Sequence, residues 1–262
     1  MKSAFRIFLA CIGLCLSCAT VAQTTTDIPT RPGVTQRLLT LPAANAKSTV
    51  ILFAGGHGGL GIFSNGSFRW GEGNFLIRSR QYFVDQGMNV VIVDAPSDRQ
   101  GSPYLAGFRQ TAEHVADIRA VIAWARAQYG MPVWLVGTSR GTQSAAFVAT
   151  QLNSVEGPDG LVLTSTIFKD DKGRPVPAMA LEKLTIPVLL VHHTQDGCSH
   201  CAYADLPKVE EKLRHLSHTG VLSFEGGTSR GDPCEAYAYH GFNGLEKDVV
   251  EQIGSWMQKS RK

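Results

Sequence analysis

The chain has 262 residues, 44% of them hydrophobic and 18% charged, ordinary for a globular protein with a full core and room for one α/β domain or two small ones. The formal charge of +3 carries no nucleic-acid signal, and two of the positive charges, Lys2 and Arg6, lie in a leader segment. No stretch beyond that leader is long and apolar enough to span a membrane.

Residues 1–22 read as a secretory signal peptide. Lys2 and Arg6 form a basic start, Ile7 to Leu16 a short apolar run, and Thr20-Val21-Ala22 a small-residue cleavage site. The expected location is therefore periplasmic or secreted. Cys11, Cys15 and Cys18 fall inside the leader, which leaves Cys198, Cys201 and Cys234 in the mature chain. In an oxidising compartment three cysteines imply one disulfide and one thiol.

Residues 23–33 are polar and contain two prolines, so composition predicts a flexible lead-in. A single domain is expected over residues 34–262. Val34 to Leu41 alternates like an antiparallel edge strand. Thr49 to Phe53, Met88 to Val93, Val133 to Val136, Leu161 to Leu163 and Pro187 to His192 are continuous apolar runs, the pattern of strands covered on both faces. Val221 to Phe224 is the last strand. Helices are expected over Phe75 to Gln86, Gly107 to Tyr129, Ala204 to Leu216 and Asn243 to Lys259. Strands alternating with helices give a mostly parallel, doubly covered sheet. The irregular stretch from Thr164 to Thr185 is short, so any cap is small or absent.

The most informative stretch is Val133 to Gly141. An apolar strand runs into Gly137-Thr138-Ser139-Arg140-Gly141, and the small residues Thr142 to Val148 continue as a helix. Gly-x-Ser-x-Gly in that setting is the pattern of a serine on a sharp strand-to-helix turn. A serine hydroxyl needs a base within reach, and the base needs an orienting acid. In this arrangement the acid follows a later strand and the histidine precedes the closing helix. Asp196 and His240 occupy those positions. Asp170, Asp171 and Glu225 also follow strands and compete for the acid role. An oxyanion needs two N–H donors: Arg140, after the serine, and Gly58 or Gly59 in the loop Gly55 to Gly61. That loop lacks the lysine of a phosphate loop. His57 is expected to brace it by hydrogen bonding. The Arg140 side chain either pairs with an acid such as Glu72 or meets an anionic substrate group. The run from His192 to Cys201 contains metal-ligand residue types, but no second ligand pair at finger spacing follows, and no metal is expected.

With elbow, glycine loop, Asp196 and His240 in this order, the chain from about residue 34 to 259 resembles the α/β-hydrolase superfamily. Within it, the chain looks like a small esterase or dienelactone-hydrolase-like member. Two departures stand out: the loop reads Gly-Gly-His-Gly-Gly instead of His-Gly-Gly-Gly, and only one antiparallel N-terminal strand is visible. The resemblance implies Ser139 as nucleophile, His240 as base and Asp196 as acid, with no metal, no organic cofactor and a small ester-like substrate. A peptidase on the same triad and a non-catalytic binding protein of the same fold are the alternatives. Substrate identity and oligomeric state are not legible. The aromatic residues Phe63, Phe68, Trp70 and Phe75 either wall the acyl pocket or pack on the core. Cys198 lies two residues after the acid and Cys234 six before the base, so a Cys198–Cys234 bridge would hold the two loops in register. Cys201 is the rival partner.

Overall fold

The continuous apolar runs are strands: β1 (Thr24–Arg31), β2 (Val34–Leu41), β3 (Ser48–Phe53), β4 (Met88–Pro96), β5 (Val133–Thr138), β6 (Gly160–Thr164), β7 (Val188–His193) and β8 (Thr219–Phe224). In the computed structural model, which describes residues 23–152, 155–171 and 173–260, they form one sheet in the order β1-β2-β4-β3-β5-β6-β7-β8. β2 pairs antiparallel with β1 and β4, and the other pairings are parallel. The proposed leader, residues 1–22, lies outside the described residues. Among the described residues no helix is long and apolar enough to cross a membrane.

Side chains alternate across the sheet with a period of two. Ile51, Phe53, Val133 and Leu135 face one layer of core, where they meet Ile118, Val121 and Ile122 of α3 (Ala112–Tyr129), Ala145 and Val148 of α4 (Gly141–Gln151) and Val209 of α5 (Pro207–Lys212). Val50, Leu52, Trp134 and Val136 face the other layer. There they meet Phe75 of α1 (Phe75–Arg78), Phe83 of α2 (Arg80–Asp85) and Val249 and Ile253 of α6 (Glu246–Lys259). Both faces of the sheet are thus dry, which is why its central strands carry no polar alternation.

Several boundaries differ from the sequence reading, one for a long-range reason and others for local ones. Residues 24–31, expected to be a flexible lead-in, form the edge strand β1, so β2 is interior and pairs antiparallel on both sides. Long-range pairing holds β1: Arg31 meets the buried carboxylate of Asp117 on α3 at 2.8 Å and Asp98 at 3.0 Å, and Ile28 enters the core. The helix expected over Phe75 to Gln86 divides at Ser79, where Tyr82 N–H donates to Ser79 O, an i→i+3 bond, and the Arg80 guanidinium takes Ile77 O. α3 begins at Ala112 because Thr111 Oγ1 accepts the His114 N–H. α5 begins at Pro207, whose missing N–H suits a first helical position. The Thr164–Thr185 stretch packs Val176, Met179, Leu181 and Leu184 into the core, and its Gly173 lines a cavity of about 320 Å³.

Two core histidines are held neutral. His114 is buried with neither ring nitrogen hydrogen-bonded among the described residues, and burial, helped by Arg109, pushes its pKa down to about 3. His192, on β7, accepts the Thr166 N–H at Nε2, and burial pushes it down to about 3 as well. Unfolded histidines titrate near ~6.5. The unfolded chain therefore binds more protons than the folded one below that pH, so this stability is full above it and lost as pH falls toward 3. Acidification from pH 6 to pH 4 is expected to lower the unfolding free energy by on the order of 5 kcal/mol through these two groups. Urea titrations across that range measure it, and His114→Leu should remove about half of the pH slope.

Candidate active site

The glycine loop, Ser139 and Asp196 follow the carboxyl ends of β3, β5 and β7, the edge where open α/β sheets place their ligands. β5 turns directly into α4 at Ser139. Its φ of 52° puts a side chain in the left-handed region, a strained conformation that the surroundings must enforce. Two glycines allow it. A Cβ on Gly137 would lie 2.5 Å from Gly141 O, and a Cβ on Gly141 would lie 2.0 Å from Phe53 O of β3. The Ser139 N–H donates to Thr164 O at 3.1 Å, tying the turn to the end of β6.

Asp196 follows β7, and His240 lies in a turn before α6. His240 Nδ1 is 2.9 Å from Asp196 Oδ2, and both side chains are buried. With the carboxylate ionised, Nδ1 carries the proton and Nε2 is left as an acceptor. The other Asp196 oxygen accepts the Cys198 N–H at 2.9 Å. His240 and Ser139 line one cavity of about 260 Å³, together with Gly55, Gly56, Trp70 and Phe75. They are not hydrogen-bonded to each other here, and such contacts commonly tighten only around substrate.

The glycine loop sits against this cavity, but not with the residues expected. Gly59 donates its N–H to His57 Nδ1 at 3.1 Å, and a Cβ on Gly58 would strike the Arg109 guanidinium. Gly55 and Gly56 are the loop residues that line the serine cavity. Gly56 has φ of 58° and lies under Trp70, whose ring a Cβ would meet at 2.5 Å. Neither the Gly56 nor the Arg140 N–H has an acceptor among the described residues. His57 does brace the loop: besides accepting the Gly59 N–H, it stacks on Tyr104 at 4.4 Å between centroids and meets the Trp70 ring at a tilt at 4.1 Å.

Several supporting residues escaped the sequence reading. Asp94, buried at the end of β4, accepts the N–H groups of Leu60, Gly61 and Ile62 at 2.7, 3.1 and 2.8 Å and so fixes the far half of the glycine loop. Arg78 donates to Gly73 O and to Gly241 O beside His240, and pairs with Glu246 at 2.9 Å. Ser165 Oγ donates to His240 O at 2.7 Å. Of the competing acids, Asp170 is buried against Arg140 and Gln143, and Glu225 is exposed. Arg140 thus pairs with Asp170 and not with Glu72. Among the aromatics, Trp70 and Phe75 wall the cavity, Phe68 is core, and Phe63 is exposed beside Arg69.

Cys198 and Cys234 form a disulfide, and Cys201 is a buried thiol. Cys198, Cys201 and His240 offer atoms within 4.8 Å of one another, yet Cys198 sulfur is bonded to Cys234 and His240 Nδ1 faces Asp196. Burial, reinforced by Asp196, raises the Cys201 thiol well above its usual pKa, so it stays protonated and poorly nucleophilic.

The elbow and the disulfide each generate an expected outcome. Gly141→Ala should destabilise the fold by about 3 kcal/mol or more, because its Cβ meets backbone. Gly101→Ala, with open space around it, should be nearly neutral. Urea midpoints of the two variants make the comparison. The bridge closes a sequence separation of 36, so Cys234→Ser should lower stability by about 4 kcal/mol. Wild type unfolded in dithiothreitol should converge on the variant.

No family model and no curated protein matches the sequence. Solved structures do match. An esterase of Pyrococcus furiosus aligns at 15% identity with a TM-score of 0.65, covering 92% of this chain and 94% of that one. A dienelactone hydrolase of Anabaena variabilis aligns at 13% identity with a TM-score of 0.60, covering 91% and 98%. An α/β serine hydrolase homologue of Coxiella burnetii aligns at 16% identity with a TM-score of 0.61, covering 89% and 97%. Likeness at such identities is a likeness of architecture, and together with the strand order and the strained serine turn it establishes that this chain has the α/β-hydrolase fold.

Proposed function

We propose that the protein is an exported serine hydrolase that cleaves a small ester, thioester or amide through an acyl-enzyme. The observation that carries the reading is the convergence of a serine held at φ of 52° and a buried His240–Asp196 pair on one cavity. Export is supported by the basic-then-apolar leader and by the disulfide. The names of the three neighbours, an esterase, a dienelactone hydrolase and an α/β serine hydrolase homologue, agree with a hydrolase.

In this reading Ser139 Oγ attacks the substrate carbonyl while His240 Nε2 takes its proton. Asp196 holds the opposite Nδ1–H and stabilises the imidazolium that forms. Negative charge develops on the carbonyl oxygen. The Arg140 N–H meets it at the start of α4, and the Gly56 N–H, in place of Gly58 or Gly59, is the second donor. Collapse expels the alcohol, thiol or amine, which leaves with the proton from His240. Water, deprotonated by the same nitrogen, then attacks the acyl group, and Ser139 regains its proton. Removing one oxyanion donor from such a site costs about 3 kcal/mol of transition-state stabilisation.

A fluorophosphonate should label wild type at Ser139 and leave Ser139→Ala unlabelled. His240→Ala should lower kcat/KM for p-nitrophenyl acetate on the order of 10⁴-fold, and Asp196→Asn by 10³- to 10⁴-fold. Labelling of another residue, or undiminished turnover by His240→Ala, would exclude the reading.

A further inference from the structure

Asn74 precedes α1 and lines the serine cavity. Its backbone is held on both sides: the N–H donates to Gly71 O at 2.9 Å, and the carbonyl oxygen accepts the Arg78 N–H at 2.9 Å. Its side-chain Oδ1 accepts the Leu76 N–H at 3.2 Å, the cap of α1. That bond fixes which end of the amide faces the helix and turns the NH2 away from it. Among the described residues the Nδ2 group has no acceptor. Capping needs only an acceptor, which Ser, Thr or Asp supplies as well. The NH2 is therefore surplus to the cap. Gly55 shows where it lies. A Cβ on Gly55 would sit 2.9 Å from Ser139 Cβ and 3.5 Å from Asn74 Nδ2. The nucleophile and the amide thus lie off the same face of Gly55, and the space between them stays open because that residue has no side chain. The Gly56 N–H is the next backbone donor after Gly55, and the Arg140 N–H is the next after Ser139. Three N–H donors without acceptors among the described residues gather round one glycine beside the serine.

We propose that the Asn74 side-chain amide is a third oxyanion donor, a catalytic residue that meets the developing carbonyl oxygen together with the Arg140 and Gly56 N–H groups. The proposal rests on the serine-hydrolase reading. A donor that is already oriented costs no reorganisation when negative charge forms on the oxygen. Its hydrogen bond strengthens as that charge grows, so the amide acts on the transition state more than on the bound ester. The capping bond and the two backbone bonds of Asn74 supply that orientation before substrate arrives.

Asn74→Ser keeps a capping oxygen and removes the amide. With p-nitrophenyl acetate, kcat should fall about 10²-fold while KM stays within about threefold of wild type. The discriminating substrate is the thionoester, in which sulfur replaces the carbonyl oxygen. Sulfur accepts hydrogen bonds weakly, so kcat for the thionoester should fall less than ~10-fold and the oxygen-to-sulfur rate ratio should shrink at least ~10-fold. A merely structural role would slow both esters alike and leave the ratio in place. Asn74→Asp keeps the cap and the shape but puts an oxygen where the NH2 stood, so it should lose at least as much activity and shrink the ratio in the same way. It decides the matter alone where Asn74→Ser does not fold. An unchanged ratio, or a kcat within about threefold of wild type in either folded variant, would overturn the proposal. End-point labelling with a fluorophosphonate separates this from the reading beneath it. Ser139 labelled with the ratio unchanged removes Asn74 and leaves the hydrolase; Ser139 unlabelled in wild type removes the hydrolase reading and the role of Asn74 with it.

Discussion

How closely α4 approaches the ends of β3 and β5 sets the rest of the site. The gap is closed by backbone: Gly141 packs on Phe53 O, and Gly137 packs on Gly141. With no Cβ at either position, the helix starts one residue after the serine, and Ser139 is driven into the left-handed region at the mouth of the cavity. The same approach brings the start of α4 beside the glycine loop, so Arg140 and Gly56 line one cavity. Any side chain at Gly141 would lift the helix off β3 and separate these groups together, which makes packing and chemistry at this corner a single constraint.

The opposite wall has a different construction. Between β8 and α6 lie some twenty residues with little regular structure, and His240 depends on them. Three ties from other parts of the chain hold this segment: Ser165 to His240 O, Arg78 to Gly241 O, and the disulfide from Cys234 to Cys198 beside the acid. Each replaces the ladder hydrogen bonds that a strand would have supplied. The imidazole is thus oriented by Asp196 at one nitrogen and by its own anchored backbone, which is how a loop can hold a geometry usually entrusted to regular elements.

Most of the fold was legible because the parallel strands are buried on both faces and so appear as unbroken apolar runs ending in glycine or polar turns. Ser139 and Asp196 were legible for the same reason, each lying just past such a run, and His240 was legible from its place ahead of the closing helix. What escaped depends on partners distant in the chain. β1 is Thr-rich with one proline and lacks any local strand signal; its order comes from Arg31 meeting Asp117, 86 residues away. Asp94 reads as an ordinary residue after a strand, and nothing local reveals that its oxygens collect three N–H groups from residues 60–62. Among five glycines in seven positions, composition cannot tell which line the serine cavity; Gly55 and Gly56 do, while Arg109 crowds Gly58 and Tyr104 crowds Gly59. Arg140 found Asp170 and not Glu72 because the stretch after β6 folds back over α4, a path that no periodicity encodes.

The central claim is that Ser139 carries the acyl group during turnover. Acid quenching of the protein during steady-state hydrolysis of a slow p-nitrophenyl ester, followed by peptide mass mapping, addresses it directly. The account requires the acyl mass on the peptide bearing Ser139, at a stoichiometry approaching one when deacylation is rate-limiting. Turnover with burst release of p-nitrophenol but with the acyl group on another residue would contradict it.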